Sequence, residues 1–260
     1  MAGTDRKQAA LTGGPAIILV DPQLGENIGT SARAMLNCGL TDLRLVRPRD
    51  DWPNEKARTA SSGADAVVEG ARLFDSTSDA IADLNRVYAT TARQRGMTKR
   101  VVTPRRAASE MRKAIVAGDK VGILFGRERS GLENDDIALA DAVVAVPLNP
   151  RFASLNLAQA VLLVGYEWFQ AGARSPASQL IVNETRPATK AELQNFFTQL
   201  ERRLVASGFL RNEEKRPSMV RNIRNLFQRA GLTEQEVKTL HGIVADLAKA
   251  NEKPKKRPAD

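Results

Sequence analysis

Residues Val121–Leu157 read VGILFGRERSGLENDDIALADAVVAVPLNPRFASLNL, and this stretch decides the fold. It holds two apolar runs, Val121–Phe125 and Ala142–Val146, each ending abruptly in a polar loop that carries glycine or proline. Short apolar runs with β-branched residues and turn signals at their ends read as buried strands of an α/β sheet. Open α/β sheets bind ligands in the loops at the carboxyl ends of such strands. The same stretch therefore predicts a site.

The pattern continues towards the N-terminus. Ala16–Val20 (AIILV) reads as a first buried strand ended by Asp21-Pro22, and the following GENIGTSARAMLNCGL places Ile28, Ala32, Met35 and Leu36 on one helical face, with Gly39 as C-cap. Leu43–Val46, Arg72–Phe74 and Arg86–Thr90 are further strands, Asp50–Gly63 is irregular or weakly helical, and Ser76–Asp83 has N-cap chemistry. Pro104 opens a helix that Gly118 stops. Alternating short strands and helices predict an α/β fold with a mostly parallel sheet covered on both faces. After Leu155, NLAQAVLLVGYEWFQ is apolar nearly all round, as in a buried helix.

Beyond Gln170 the composition changes. Residues 171–190 hold two prolines and little periodicity and read as a linker, followed by three amphipathic helices, Ala191–Ser207, Ser218–Ala230 and Thr233–Lys249, the last N-capped by Thr233 with Glu236 at capping-box spacing. Residues 1–14 form an N-terminal tail, and 251–260 a tail rich in lysine and proline. The expected organisation is thus a domain over 15–170, a linker, and a small all-helical extension over 191–250.

The chemistry is bounded by what the chain lacks. Cys38 is its only cysteine and His241 its only histidine, which excludes an intrachain disulfide, a Cys/His zinc cluster and a Ser-His-Asp triad built from one chain. No run approaches about 18 apolar residues and the N-terminus lacks the apolar core of a signal peptide, so a cytoplasmic location is expected. The 39 Lys and Arg outnumber 30 Asp and Glu, for a net charge of +9, which favours a polyanionic partner. Arg93, Arg95, Lys99, Arg100, Arg105, Arg106, Arg112 and Lys113 cluster with Glu110 as the only acid, an arrangement that suits phosphate contacts.

Three elements carry candidate chemistry, and each has a plain alternative. Gly126-Arg-Glu-Arg-Ser-Gly131 has the glycine spacing of a P-loop, but Leu132-Glu133 stand where lysine and Ser/Thr are needed, which argues against ATP or GTP hydrolysis and leaves ordinary turn duty open. No G-x-G-x-x-G follows a strand, which argues against a dinucleotide cradle. Val146-Pro147 leads to Ser154-Leu155-Asn156, where either polar residue can cap the next helix. Asn27-Ile28-Gly29 is followed by Ala32-Arg33, and an arginine there, taken alone, is most often a solvated helix residue.

Taken together and in order, Asn27-Ile-Gly with Ala32-Arg33, Phe125-Gly-Arg-Glu-Arg-Ser-Gly-Leu132, and Val146-Pro with Ser154-Leu-Asn156 resemble the three motifs of the SpoU/TrmH-type RNA 2'-O-ribose methyltransferases of the SPOUT superfamily. The resemblance covers Pro15 to about Gln170. Ala89-Thr-Thr-Ala-Arg-Gln-Arg95 is similar to a loop of the bacterial subgroup that methylates the tRNA anticodon loop, and Arg224–Leu232 with Leu240–Ile243 resembles that subgroup's helical C-terminal extension.

The resemblance implies a C-terminal trefoil knot that binds S-adenosylmethionine, with contacts from Thr90, Thr91, Ala92, Gly126, Val146, Ala153, Ser154 and Leu155. At Ala153 the subgroup's serine is absent, which leaves only a backbone contact there. It further implies a catalytic set of Asn27, Arg33, Glu128, Ser154 and Asn156, no metal, a homodimer, and a tRNA lying across the subunit boundary. Arg33 would be either a transiently neutral base or a cation stabilising the developing alkoxide, since a guanidinium is normally charged at neutral pH. Glu128 would orient an arginine or the loop. Basic helix positions Arg221, Arg224 and Arg229 join Arg93–Lys113 as candidate RNA surfaces, with a solvated helix face as the alternative. The implied reaction is ribose methylation at nucleotide 32 of the anticodon loop. The alternatives are another tRNA position, ribosomal RNA, or a non-catalytic RNA-binding protein.

Overall fold

Seven parallel strands run through the first of two compact units, residues 1–175 and 176–260. The computed structural model describes residues 11–91, 97–173 and 184–252. In chain order the strands are β1 (Ala16–Val20), β2 (Leu43–Val46), β3 (Arg72–Phe74), β4 (Arg86–Thr90), β5 (Arg100–Val102), β6 (Val121–Phe125) and β7 (Ala142–Val144). Their spatial order is β3-β2-β1-β6-β4-β7-β5, so β6 inserts between β1 and β4, and β7 between β4 and β5.

Period-two alternation explains why the central strands are apolar throughout. In β1, Ile17 and Leu19 join one core while Ala16, Ile18 and Val20 join the other, and in β6, Ile123 and Phe125 oppose Leu124 in the same way. The larger core is closed by α1 (Gly25–Asn37), α2 (Glu55–Ser61), α3 (Asp65–Glu69), α5 (Pro104–Val116) and α7 (Leu157–Gln170), the smaller by α4 (Thr77–Ile81) and α6 (Asn134–Ala138). Side chains cap several of these helices. The Ala57 amide donates to Asn54 Oδ1 at 3.1 Å, and the Asp79 amide to Ser76 Oγ at 3.1 Å. Each such cap contributes about 1 kcal/mol.

Several expectations change. β7 stops at Val144, because Val146 precedes a proline and turns away from the ladder, although the Ala145 amide still donates to Val102 O at 3.0 Å. β5, α3 and α6 carry no periodic signal at three to five residues and were not expected, and Asp50–Gly63 holds α2 as a formed helix. α7 is not buried all round. It packs on α1 and α5 through Leu157, Val161, Val164 and Trp168, but leaves Leu162, Leu163 and Tyr166 exposed. Leu36 of α1, placed on the buried face by periodicity, is exposed as well.

The second unit contains α8 (Lys190–Ala206), α9 (Arg216–Arg229) and α10 (Glu234–Glu252) around Leu193, Phe196, Phe197 and Val237. The expected capping box is formed: the Thr233 amide donates to Glu236 Oε2 at 2.7 Å and the Glu236 amide to Thr233 Oγ1 at 3.3 Å. Phe196 meets Phe227 edge-on at 5.0 Å between ring centroids.

Candidate active site

A cavity of about 350 Å³ opens at the carboxyl ends of the neighbouring strands β6, β4 and β7, where a parallel sheet is expected to bind its ligand. Its lining includes Thr90, Thr91, Gly126, Glu128, Val146 and Ala153–Leu155, so seven of the eight expected cofactor positions surround one space. The eighth, Ala92, lies outside the described residues.

The loop after β6 explains both readings of its glycines. Gly131 adopts φ 72°, its amide donates to Arg127 O at 3.0 Å, and a Cβ on Gly126 would stand 2.1 Å from the Leu132 nitrogen. The loop therefore folds back on itself so tightly that only glycine fits at Gly126, and in doing so forms one cavity wall. Turn duty and cavity lining are the same fact. Gly29 serves a different purpose, since a Cβ there would lie 2.0 Å from Ala57 O, where α2 crosses α1.

Three sequence-distant motifs meet through one chain of hydrogen bonds. Glu128 accepts from the Gln23 amide at 3.0 Å and from Asn27 Nδ2 at 2.8 Å, while Asn27 Oδ1 accepts from Asn156 Nδ2 at 3.0 Å. Asn156 Oδ1 accepts from the Ala158 amide at 2.9 Å, and the Asn156 amide donates to Gln159 Oε1 at 3.2 Å, completing the N-terminal cap of α7. The polarity of the whole chain follows. The helix amide requires an oxygen, so Asn156 must turn its NH₂ towards Asn27, which then turns its own NH₂ towards the carboxylate. Capping and site assembly, alternatives in the sequence, are both performed by Asn156.

Ser154 does not cap. It lines the cavity, is exposed, and its hydroxyl has no partner among the described residues. The backbone amides of Ala153, Ser154 and Leu155 likewise donate to no described residue, leaving three donors along one wall. The unpaired amide at Ala153 is available whether or not a serine stands there.

Of the expected catalytic set only Glu128 and Ser154 line the cavity; Asn27 and Asn156 are joined to it through Glu128, whereas Arg33 is not. It is exposed on α1, six residues after Asn27, which places it about 120° round the helix from that side chain. Its guanidinium has no partner among the described residues. Arg129, at the cavity wall, and Arg151, in the loop before Ala153, are also exposed and unpartnered among the described residues; the sequence reading did not single them out, and nothing local distinguishes them from solvated arginines.

The basic cluster behaves otherwise. Glu110 accepts from Arg100 at 2.8 Å on both oxygens and from Arg106 at 2.7 Å, and these hydrogen bonds, Arg100 first, hold its carboxyl down to about 2. Arg105 reaches Glu167 at 3.4 Å, Lys99 Nζ donates to Ala138 O at 2.8 Å and Ala140 O at 2.5 Å, and Arg112 lies 3.5 Å from the Trp168 ring centroid while donating to Trp168 O. Of the eight expected phosphate contacts, five are engaged within the fold, Lys113 is exposed, and Arg93 and Arg95 lie outside the described residues. In the second unit Arg224 pairs with Glu201 at 2.6 Å, whereas Arg221 and Arg229 are exposed and unpartnered among the described residues. The described residues contain no group of three His, Cys, Asp or Glu suited to a metal, and no helix long and apolar enough to cross a membrane.

Known proteins match this architecture along the chain. The model of the SpoU rRNA Methylase family matches residues 14–166, and that of the tRNA methyltransferase TrmJ C-terminal domain matches 191–256. A solved TrmJ from Z. mobilis is 47% identical, covering 91% of this chain and 100% of that one with a TM-score of 0.78. The tRNA (cytidine/uridine-2'-O-)-methyltransferase TrmJ of Escherichia coli is 36% identical over 90% of this chain and 95% of its own length. The tRNA (cytidine/uridine/adenosine-2'-O-)-methyltransferase TrmJ of Pseudomonas aeruginosa is 33% identical over 90% and 93%. With the three motif segments joined beside one cavity through Glu128, Asn27 and Asn156, and the similarity running through both units, the chain belongs to the SpoU methylase family, in its TrmJ branch.

Proposed function

We propose that this protein methylates the ribose 2'-hydroxyl of a tRNA nucleotide, using S-adenosylmethionine, at position 32 of the anticodon loop in the cytoplasm. The observation that carries the reading is the chain Glu128–Asn27–Asn156, which ties the three motif segments together beside the cavity. The enzymes of Escherichia coli and Pseudomonas aeruginosa named above support tRNA ribose as the substrate class. The assignment of nucleotide 32 rests on the similarity of Ala89–Arg95 and of the C-terminal helices to the anticodon-loop subgroup.

The cavity suits the cofactor. Its three unpartnered amides at Ala153–Leu155 can hold the polar edge of an adenine or a carboxylate, and its volume lies in the range of small-molecule sites. When bound, the cofactor supplies an electrophilic methyl on a sulfonium. The protein's part is to place the 2'-hydroxyl in line with that methyl and to stabilise the oxygen as its proton leaves. Glu128 and Asn27 hold the β6 and α1 loops at fixed separation, and Ser154 offers a free hydroxyl to the ribose.

Arg33 acts as the cation at the developing alkoxide. Because it faces away from Asn27 on its own helix, the active form is a homodimer in which Arg33 serves the cavity of the second copy. Leu36 on α1 and Leu162, Leu163 and Tyr166 on α7, two helices packed on each other, supply exposed apolar surface for that association. The insertion of β6 and β7 between earlier strands supports a knotted C-terminal half around the cavity.

Mass-spectrometric mapping of ribose methylation in tRNA from cells with and without the gene tests the reading. Loss at nucleotide 32 is the expected result. Loss elsewhere in tRNA moves the target, and an unchanged methylation profile refutes the proposal.

A further inference from the structure

We infer that Phe152 is the platform on which the base of the target nucleotide stacks while its ribose occupies the cavity. The inference rests on the function proposed above. Phe152 is 77% exposed, more than the exposed aromatics Phe209 at 59% and Tyr166 at 53%, so its ring contributes little to the core. Its position is nevertheless defined. The Phe152 amide donates to Asn149 O at 2.8 Å and the Arg151 amide to Asn149 Oδ1 at 3.1 Å, which closes a turn immediately before the three residues that line the cavity.

An aromatic ring exposed to water on the residue just before the cavity wall invites a partner with a flat apolar face. A nucleobase provides one, and proteins that act on RNA loops take hold of unstacked bases in this way. The charges around the ring point to the same partner. Arg151 precedes it in the turn and Arg129 stands on the cavity wall, both exposed and unpartnered among the described residues, so two cations are available to the phosphates flanking a splayed nucleotide. Stacking reads the ring face rather than the hydrogen-bonding edge, and so tolerates different bases. That tolerance fits a family in which one relative is named for cytidine and uridine and another for adenosine as well.

The test is steady-state methylation of a tRNA transcript by the full-length protein. Removing the ring in Phe152→Ala or Phe152→Leu is expected to lower kcat/KM by about 5- to 150-fold, while Phe152→Trp keeps the rate to within roughly twofold. The affinity for S-adenosylmethionine and the melting temperature are expected to stay unchanged in all three. Phe152→Leu matching the wild type overturns the inference, because leucine keeps the apolar surface and loses only the π face. It is equally overturned if the substitutions shift the monomer–dimer equilibrium in sedimentation while the KM for tRNA holds. Wild-type protein that methylates no tRNA overturns the functional reading itself.

Discussion

The β5–α5 segment and the loops of the candidate site are both rich in arginine, and they differ in how much of it is left unpaired. Between Lys99 and Arg112 the cations are engaged: Arg100 and Arg106 share Glu110, Arg105 meets Glu167, Lys99 closes carbonyls at the end of α6, and Arg112 lies against Trp168. At the cavity wall Arg127 is paired with Asp21 and Glu133, but Arg129, Arg151 in the loop before Ala153, and Arg33 on α1 have no partner among the described residues, although the sequence around them is less basic. Charge density along a sequence therefore says little about which cations remain for a ligand. Acids on neighbouring elements decide that, and an arginine already paired in a bidentate bridge offers a phosphate much less than a free one.

The contrast breaks most visibly at Arg33. If this unpaired cation stabilises the alkoxide, Arg33→Ala should lower kcat by about 10²- to 10³-fold with cofactor affinity and melting temperature unchanged, and Arg33→Lys should restore part of the rate by keeping the charge without the planar fork. A wild-type kcat in Arg33→Ala would remove the residue from the mechanism. Glu128 is the engaged counterpart within the site. Glu128→Gln replaces an acceptor-only group by one whose NH₂ must face either the Gln23 amide or Asn27 Nδ2, so both stability and rate should fall, stability by about 1–3 kcal/mol in chemical denaturation. A loss of rate alone would indicate a chemical role instead.

Arg221 and Arg229 on α9 sharpen the comparison outside the cavity. If free cations carry RNA binding, replacing both by alanine should make the slope of log K against log salt for tRNA shallower by about 1–2. An unchanged slope would assign them to a solvated helix face. The smallest effect belongs to the engaged segment. The Glu110 carboxyl sits near 2 instead of its ordinary 4.5, so its contribution to stability is fully present above pH 4.5 and is lost as pH falls towards 2. Glu110→Gln should therefore cost about 1 kcal/mol at pH 7, a shift of roughly 2–4 °C, with the difference shrinking below pH 4.5 and tRNA methylation unaffected.

By itself the sequence determined six of the seven strands, the helix ends marked by Thr233 with Glu236 and by Gly39 and Gly118, and the order of the motif segments. These are local properties: a strand buried on both faces must be apolar at every position, and a cap acts within three residues of its own helix. β3 and β5 are both three-residue edge strands with two exposed positions, and neither carries a period; β3 was legible because the Ser/Asp-rich stretch Ser76–Asp83 ends it, whereas β5 lies in the basic run and leads directly into the start of α5 at Thr103-Pro104. Only the tertiary structure decided which polar groups are free. Asn27 and Glu128 are 101 residues apart, Asn27 and Asn156 129 apart, and Arg105 and Glu167 62 apart, so no local pattern announces their hydrogen bonds. It also decided that α7 and Leu36 keep an exposed apolar side, and that Arg33 meets no partner among the described residues. Periodicity can tell which face of a helix is apolar, but what that face meets is set by elements brought close in space.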